Sequence, residues 1–139
     1  MPSFDRQHYV DAIHAYFDRM DAFDLDAFCD LLTDDCTITC ETDLGVDHLA
    51  DKEAMRRFFS GLRQRTGTMR HTVHRVIADP TEHRAACDLT YRNDRANGDV
   101  FEVYVGNQFD FAPDGRIAKV SYWLGRPRGT GYDEPAPRG

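Results

Sequence analysis

The sequence predicts an α+β protein, and three observations carry that prediction. Apolar residues recur at helical spacing through the first 65 positions and at a spacing of two from residue 68 onward. Turn signals break the second half into short runs. Helices first and consecutive strands later place the helices on one face of a largely antiparallel sheet. At 139 residues the chain is long enough for one well-filled core and too short for two.

Taken in order, Phe4, Tyr9, Ile13, Tyr16, Phe17 and Met20 lie close to i, i+3, i+4 spacing and predict a first helix over 4–20. Ser3 or Asp5 would cap it, and a short turn over Asp21–Asp24 ends it. A second helix is predicted over 24–33, capped by Asp24, burying Leu25, Phe28, Leu31 and Leu32 and closed by Thr33-Asp34-Asp35. The β-branched run Cys36–Cys40 reads as a short strand, and 42–51 as a loop or bent strand. Met55, Phe58, Phe59 and Leu62 share one face of a third helix over 51–65, with Asp51 as its cap and Gly67 marking its exit.

Strands follow at 69–78, 83–92, 99–111 and 116–124, separated by Asp79-Pro80, Asn97-Gly98 and Pro113-Asp114-Gly115. Proline fixes φ, and Asn and Gly accept positive φ, so these are turns with a mechanism. The strand over 99–111 is the clearest element: Phe101, Val103, Val105, Asn107, Phe109 and Phe111 alternate with the other face. Asn107 is the one polar residue on that apolar side. A buried amide needs partners, since leaving it unpaired costs roughly 1–3 kcal/mol; Asn107 is therefore either a satisfied structural group or a ligand contact. From Gly125 the chain turns rich in Gly and Pro, so 126–139 is read as an extended or disordered tail on a single domain over 1–125.

Composition narrows the function classes. A net charge of −7, with no basic stripe, argues against nucleic acid. No apolar run approaches the roughly 20 residues of a membrane span and the amino terminus does not read as a signal peptide, so a cytoplasmic protein without membrane contact is expected. The four cysteines, Cys29, Cys36, Cys40 and Cys87, have no CxxC spacing and are expected reduced and buried. The six histidines form no HExxH, and there is no phosphate-binding or dinucleotide glycine loop, so no metal and no cofactor is expected.

The layout resembles the nuclear-transport-factor-2-like superfamily, also called SnoaL-like, over about residues 5–125. The segment Tyr16–Ile38 carries the resemblance, with its aromatic helix followed by Asp21-x-x-Asp24-x-Asp26 and by Leu31-Leu32-Thr33-Asp34-Asp35. Asp114-Gly115-Arg116-Ile117 through Trp123 is similar to the family's last turn and strand. The resemblance implies a cone, in which three helices pack on a curved, mainly antiparallel sheet around an apolar pocket.

It also implies site residues. Set against the ketosteroid isomerases, Tyr16 falls at their oxyanion-hole tyrosine, Asn107 at their protonated aspartic acid, and Cys40 where their general base would be. Set against the polyketide cyclases, the last strand reads Val120-Ser121-Tyr122-Trp123-Leu124, without their acidic residue. Set against scytalone dehydratase, Asp21 and His71 fall on a catalytic aspartate and histidine, and Asn107 near a substrate-binding asparagine. Their second histidine has no counterpart; Tyr91, Asn93 and Asp94 lie nearby. The scytalone-dehydratase-like branch is the best match. It implies His71, Asp21, Tyr16 and Asn107 as catalytic groups, with Cys40, Phe59, Tyr91, Val105, Phe109 and Tyr122 around a small hydrophobic ligand. The activity implied is a cofactor-independent dehydratase or isomerase, with a cyclase or a non-catalytic binding module as alternatives. A homodimer through the outer sheet face, where Tyr104 and Trp123 fall, completes the expectation.

Overall fold

A computed structural model describes residues 4–42 and 45–125. Three helices and six strands follow one another: α1 (Arg6–Asp21), α2 (Leu25–Asp30), β1 (Leu32–Thr42), β2 (Gly45–Leu49), α3 (Lys52–Arg65), β3 (Thr66–Asp79), β4 (Arg84–Arg95), β5 (Val100–Phe111) and β6 (Ile117–Leu124). The strands form one mixed sheet in the order β2-β1-β6-β5-β4-β3. All neighbours are antiparallel except β1 and β6, which run parallel with Ile38 opposite Val120. Among the described residues no helix is long and apolar enough to cross a membrane.

Each helix starts on an aspartate whose carboxylate accepts a backbone N–H from the first turn: Asp5 from His8, Asp24 from Ala27, and Asp51 from Ala54. Helix α1 buries Tyr9, Ile13, Tyr16, Phe17 and Met20 against the inner face of the sheet. Edge contacts join it to β5, Tyr9 to Phe111 at 4.7 Å and Tyr16 to Phe109 at 5.3 Å. Its first turn is pinned by a strand connection and by β3: the His8 ring bonds the Gly115 carbonyl through Nε2 at 2.8 Å, and Arg6 donates to the Val76 carbonyl at 3.3 Å. Gly115 sits at φ 87°, and a Cβ there would meet the Phe4 ring at 2.7 Å. Glycine answers both constraints at once.

Several boundaries differ from the sequence reading. The second helix is shorter than 24–33: it ends at Asp30, and Leu32 already pairs with Ile117 in β1. Thr33-Asp34-Asp35 therefore belongs to a strand, in a stretch where the β1–β6 register shifts. The short strand expected at 36–40 is thus part of an eleven-residue one. The segment read as a loop over 42–51 holds β2, which pairs with β1. Gly67 is not a helix-exit glycine, because α3 passes straight into β3 through Thr66 in extended conformation. Its role is contact: a Cβ on Gly67 would lie 2.8 Å from the Asp94 carbonyl oxygen. Phe58, placed on the buried face of α3, is 43% exposed. The region 126–139 lies outside the described residues.

Strand β3 carries a bulge between Val73 and Arg75, with His74 as the extra residue. Met69, His71 and Val73 face inward before it, Val76 and Ala78 after it. One inserted residue thus switches strand parity and bends the edge strand over α1. His74 points outward, bonding the Thr90 hydroxyl at 2.7 Å and stacking on Tyr104.

Two strand glycines should respond in opposite ways to alanine. Gly67→Ala forces a methyl into the Asp94 backbone and is expected to lower stability by about 1–3 kcal/mol. Gly106→Ala meets nothing within 4 Å and is expected to be neutral or to stabilise by about 0.5–1 kcal/mol. Urea midpoints of the two variants check this ordering.

Candidate functional site

The turn after α1 places the central carboxylate. Ala22 caps the helix, Phe23 takes a left-handed conformation at φ 53°, Phe23 N–H donates to the Met20 carbonyl, and Asp24 N–H donates to Arg19, each at 3.0 Å. This is a Schellman ending with phenylalanine in the position glycine usually takes. Arg63 lies 5.2 Å over the Phe23 ring. The helix therefore stops one residue beyond Asp21, beside the edge strand β3. There Asp21 accepts two hydrogen bonds from one residue: Oδ2 from the His71 backbone N–H at 2.8 Å and Oδ1 from His71 Nδ1 at 2.5 Å. With the ring proton held on Nδ1, the neutral imidazole carries its lone pair on Nε2. The ring is stacked between Phe17 at 4.8 Å and Tyr91 at 4.6 Å. Only 10% of the His71 side chain is accessible.

His71 forms part of the wall of a cavity of about 210 Å³ between α1, α3 and the concave side of the sheet. Of the residues expected around a ligand, Tyr16, Asn107, Phe59, Tyr91, Val105 and Tyr122 line it. Asp21 stands behind His71 rather than on the wall. Two expectations are corrected. Phe109 is wholly buried against Tyr16 and Phe17 and belongs to the core, not the wall. Cys40 is buried as well but does not line the cavity, so no thiol replaces a base there. Asn93 and Arg95 line the wall and were missed. The signal for Asn93 was available: Ala85, Cys87, Leu89, Tyr91 and Asn93 alternate inward along β4, and Asn93 is the polar break in that row, as Asn107 is in β5.

The polar groups of the cavity are unevenly satisfied. Asn93 Nδ2 donates to Thr66 Oγ1 at 3.0 Å and to the Tyr91 hydroxyl at 2.8 Å. Asn93 Oδ1 and Asn107 Oδ1 are buried and have no hydrogen-bond partner. Burial, reinforced by Tyr122, Cys36 and Cys87, raises the Tyr16 phenol well above its ordinary pKa. Burial likewise raises Tyr91, against a smaller lowering by the bond from Asn93. Both phenols are thus neutral O–H groups at working pH. Among the described residues no three of His, Cys, Asp and Glu converge as a ligand set for a metal ion.

The SnoaL-like domain profile matches residues 13–120. Solved structures share the fold at low identity. PrhC from Penicillium brasilianum superposes with a TM-score of 0.78 at 13% identity, over 86% of this chain and 82% of that one. The BvnE pinacolase from Penicillium brevicompactum gives 0.74 at 17%, over 86% and 84%. An LEH-like epoxide hydrolase from M. tuberculosis gives 0.70 at 18%, over 86% and 84%. A putative polyketide cyclase from Xanthomonas campestris gives 0.68 at 20%, over 86% and 92%. No curated protein sequence matches the chain.

The buried acids of this core fix the sign of its alkaline response. Burial raises the Cys36 and Cys87 thiols from 9.0 to about 12. The unfolded chain then loses these protons first. Stability is full below pH 9 and falls as pH rises from there through 12, by about 1 kcal/mol per pH unit for each thiol. Urea midpoints between pH 8 and 11 should show the decline, and Cys87→Ala should remove one share of the slope.

Proposed function

We propose that this chain, which belongs to the SnoaL-like domain family, is a cofactor-independent acid–base enzyme of the dehydratase or isomerase type. Its substrate in this reading is a small carbonyl compound with an apolar ring or polyketide-like skeleton. The observation that carries the reading is the His71 imidazole in the cavity wall with Nδ1 committed to Asp21. An imidazole so held takes a proton through Nε2, and the carboxylate stabilises the imidazolium that results. Removal of the proton α to a carbonyl sends the C–H electron pair to the carbonyl oxygen. The Tyr16 O–H and the NH₂ end of the Asn107 amide are the donors available to that oxygen. When a β-hydroxyl is present, the enolate collapses to a C=C bond, and the hydroxyl leaves as water with the proton from His71. When it is absent, return of the proton at another carbon gives an isomer.

The apolar wall (Phe17, Met20, Ile38, Leu49 and Val105 among others) supports a ligand of low polarity. Neighbours of the same fold are named as an epoxide hydrolase, a pinacolase and a putative polyketide cyclase, which supports small-molecule chemistry in general. A cyclase is the less favoured variant, because β6 brings Tyr122 and not an acid to the cavity. The homodimer remains part of the proposal: Ile77, Tyr104 and Trp123 stand exposed on the outer sheet face, apolar surface that a second copy would cover. Sedimentation equilibrium should then give twice 15.9 kDa; a monomer at all concentrations removes this part.

The catalytic reading is tested with 4-hydroxy-4-phenylbutan-2-one, whose loss of water gives a conjugated enone followed by ultraviolet absorbance. His71→Gln and Asp21→Asn are expected to lower kcat by roughly 10²–10⁴ with a much smaller change in KM. Equal turnover by wild type and His71→Gln would sink it.

A further inference from the structure

Asn93 sits on the inner row of β4, two residues beyond the Tyr91–His71 pair and opposite Met69. Its residue is 4% exposed, and both hydrogens of its amide are spent, one on Thr66 Oγ1 and one on the Tyr91 oxygen. The carbonyl end is left buried without a partner, on a residue that lines the cavity. An orphan acceptor of this kind costs stability, so its presence calls for a group that donates to it. The Tyr91 oxygen accepts from Asn93, which frees the Tyr91 hydrogen to be donated, and no described residue takes it. An acceptor and a donor therefore stand side by side, next to the ring stacked on His71. The group that matches both at once is a hydroxyl, which donates one hydrogen and accepts another.

We propose that Asn93 Oδ1 and the Tyr91 O–H form a subsite for a hydroxyl group of the substrate, held beside His71. The ligand class is thereby narrowed to hydroxylated apolar carbonyl compounds. The placement also favours dehydration over isomerisation. As a hydroxyl leaves, it becomes water, a stronger hydrogen donor, and its bond to Asn93 Oδ1 strengthens along the reaction. Asn93 acts through binding and orientation. The proton that completes the departing water comes from His71.

The inference deepens the acid–base reading, but its test is a binding equilibrium and needs no turnover, so the failure of either is seen separately. The probes are 2-naphthol, its donor-free isostere 2-methylnaphthalene, and the acceptor-only 2-methoxynaphthalene, with Kd measured by ligand-detected NMR. The quantity read is the preference for 2-naphthol over 2-methylnaphthalene, wild type against variant, which cancels the difference in hydrophobicity between the probes. Asn93→Leu is expected to lower that preference about tenfold or more. Asn93→Ala reads the same quantity should leucine fail to pack. Asn93→Asp, which keeps an acceptor oxygen in place, is expected to retain the preference. The proposal is overturned if the preference is the same in wild type, Asn93→Leu and Asn93→Ala. It is equally overturned if wild type favours 2-methoxynaphthalene over 2-naphthol, since the amide would then present its NH₂ end.

Discussion

The Asp21 carboxylate joins the end of α1 to the edge strand β3. Strand β3 is an edge of the sheet, and every second backbone N–H of an edge strand lacks a neighbour to accept it. Asp21 takes the one at His71 and, with its second oxygen, the imidazole of the same residue. The end of α1, the height of β3 and the orientation of the ring are thereby fixed by one side chain. Phe17 and Tyr91 then close on the two faces of the imidazole, so that it has little rotational freedom left. Geometry of this kind is what acid–base chemistry requires, because a proton-transferring group must be in place before the substrate arrives.

Much of this was legible in the chain, and the parts that were not share a physical cause. Helical spacing and aspartate caps located α1 and α3, and the period of two located β3 to β6, because those signals are local. The resemblance paired Asp21 with His71 across 50 positions, which spacing alone cannot do. What escaped was decided by partners distant in sequence. Leu32 is a strand residue because Ile117 lies beside it, and nothing between 24 and 35 announces that partner. Gly67 looks like a helix exit in the sequence, though the feature that demands glycine is a carbonyl on β4. Phe109 follows the parity of its strand correctly, yet parity does not say whether an inward side chain meets a cavity or another ring. Asn93 carries the same signal as Asn107, a polar residue in an inward apolar row, but the row on β4 is interrupted by Tyr91 and is less plain than the one on β5.

The two asparagines show how a core can be made less stable for a reason. Each buries a carbonyl oxygen without a partner, a feature that usually costs 1–3 kcal/mol and that apolar residues of similar volume would avoid. The surrounding core is otherwise well satisfied, with Tyr9, Ile13, Leu32, Met55, Leu89 and Ile117 wholly enclosed. Two of the three buried, unpartnered side-chain oxygens among the described residues belong to residues that line one cavity, the third being Asp88 Oδ1 on β4, and this pairing marks the part of the fold left open for something else.

The parallel pair β1–β6 bears on how the molecule comes into being. Strand β6 lies between β1 and β5, so the hairpin of β1 and β2 joins the remaining strands only through residues 117–124. During synthesis the amino-terminal hairpin therefore waits for the last strand before its inner edge is covered. Closure of the whole sheet is thus a long-range contact, the kind that topology makes slower than local pairing. Until then the edge of β1 that β6 covers, with Ile38 on it, stays open. A nascent chain stalled before residue 117 would be a natural client for a chaperone.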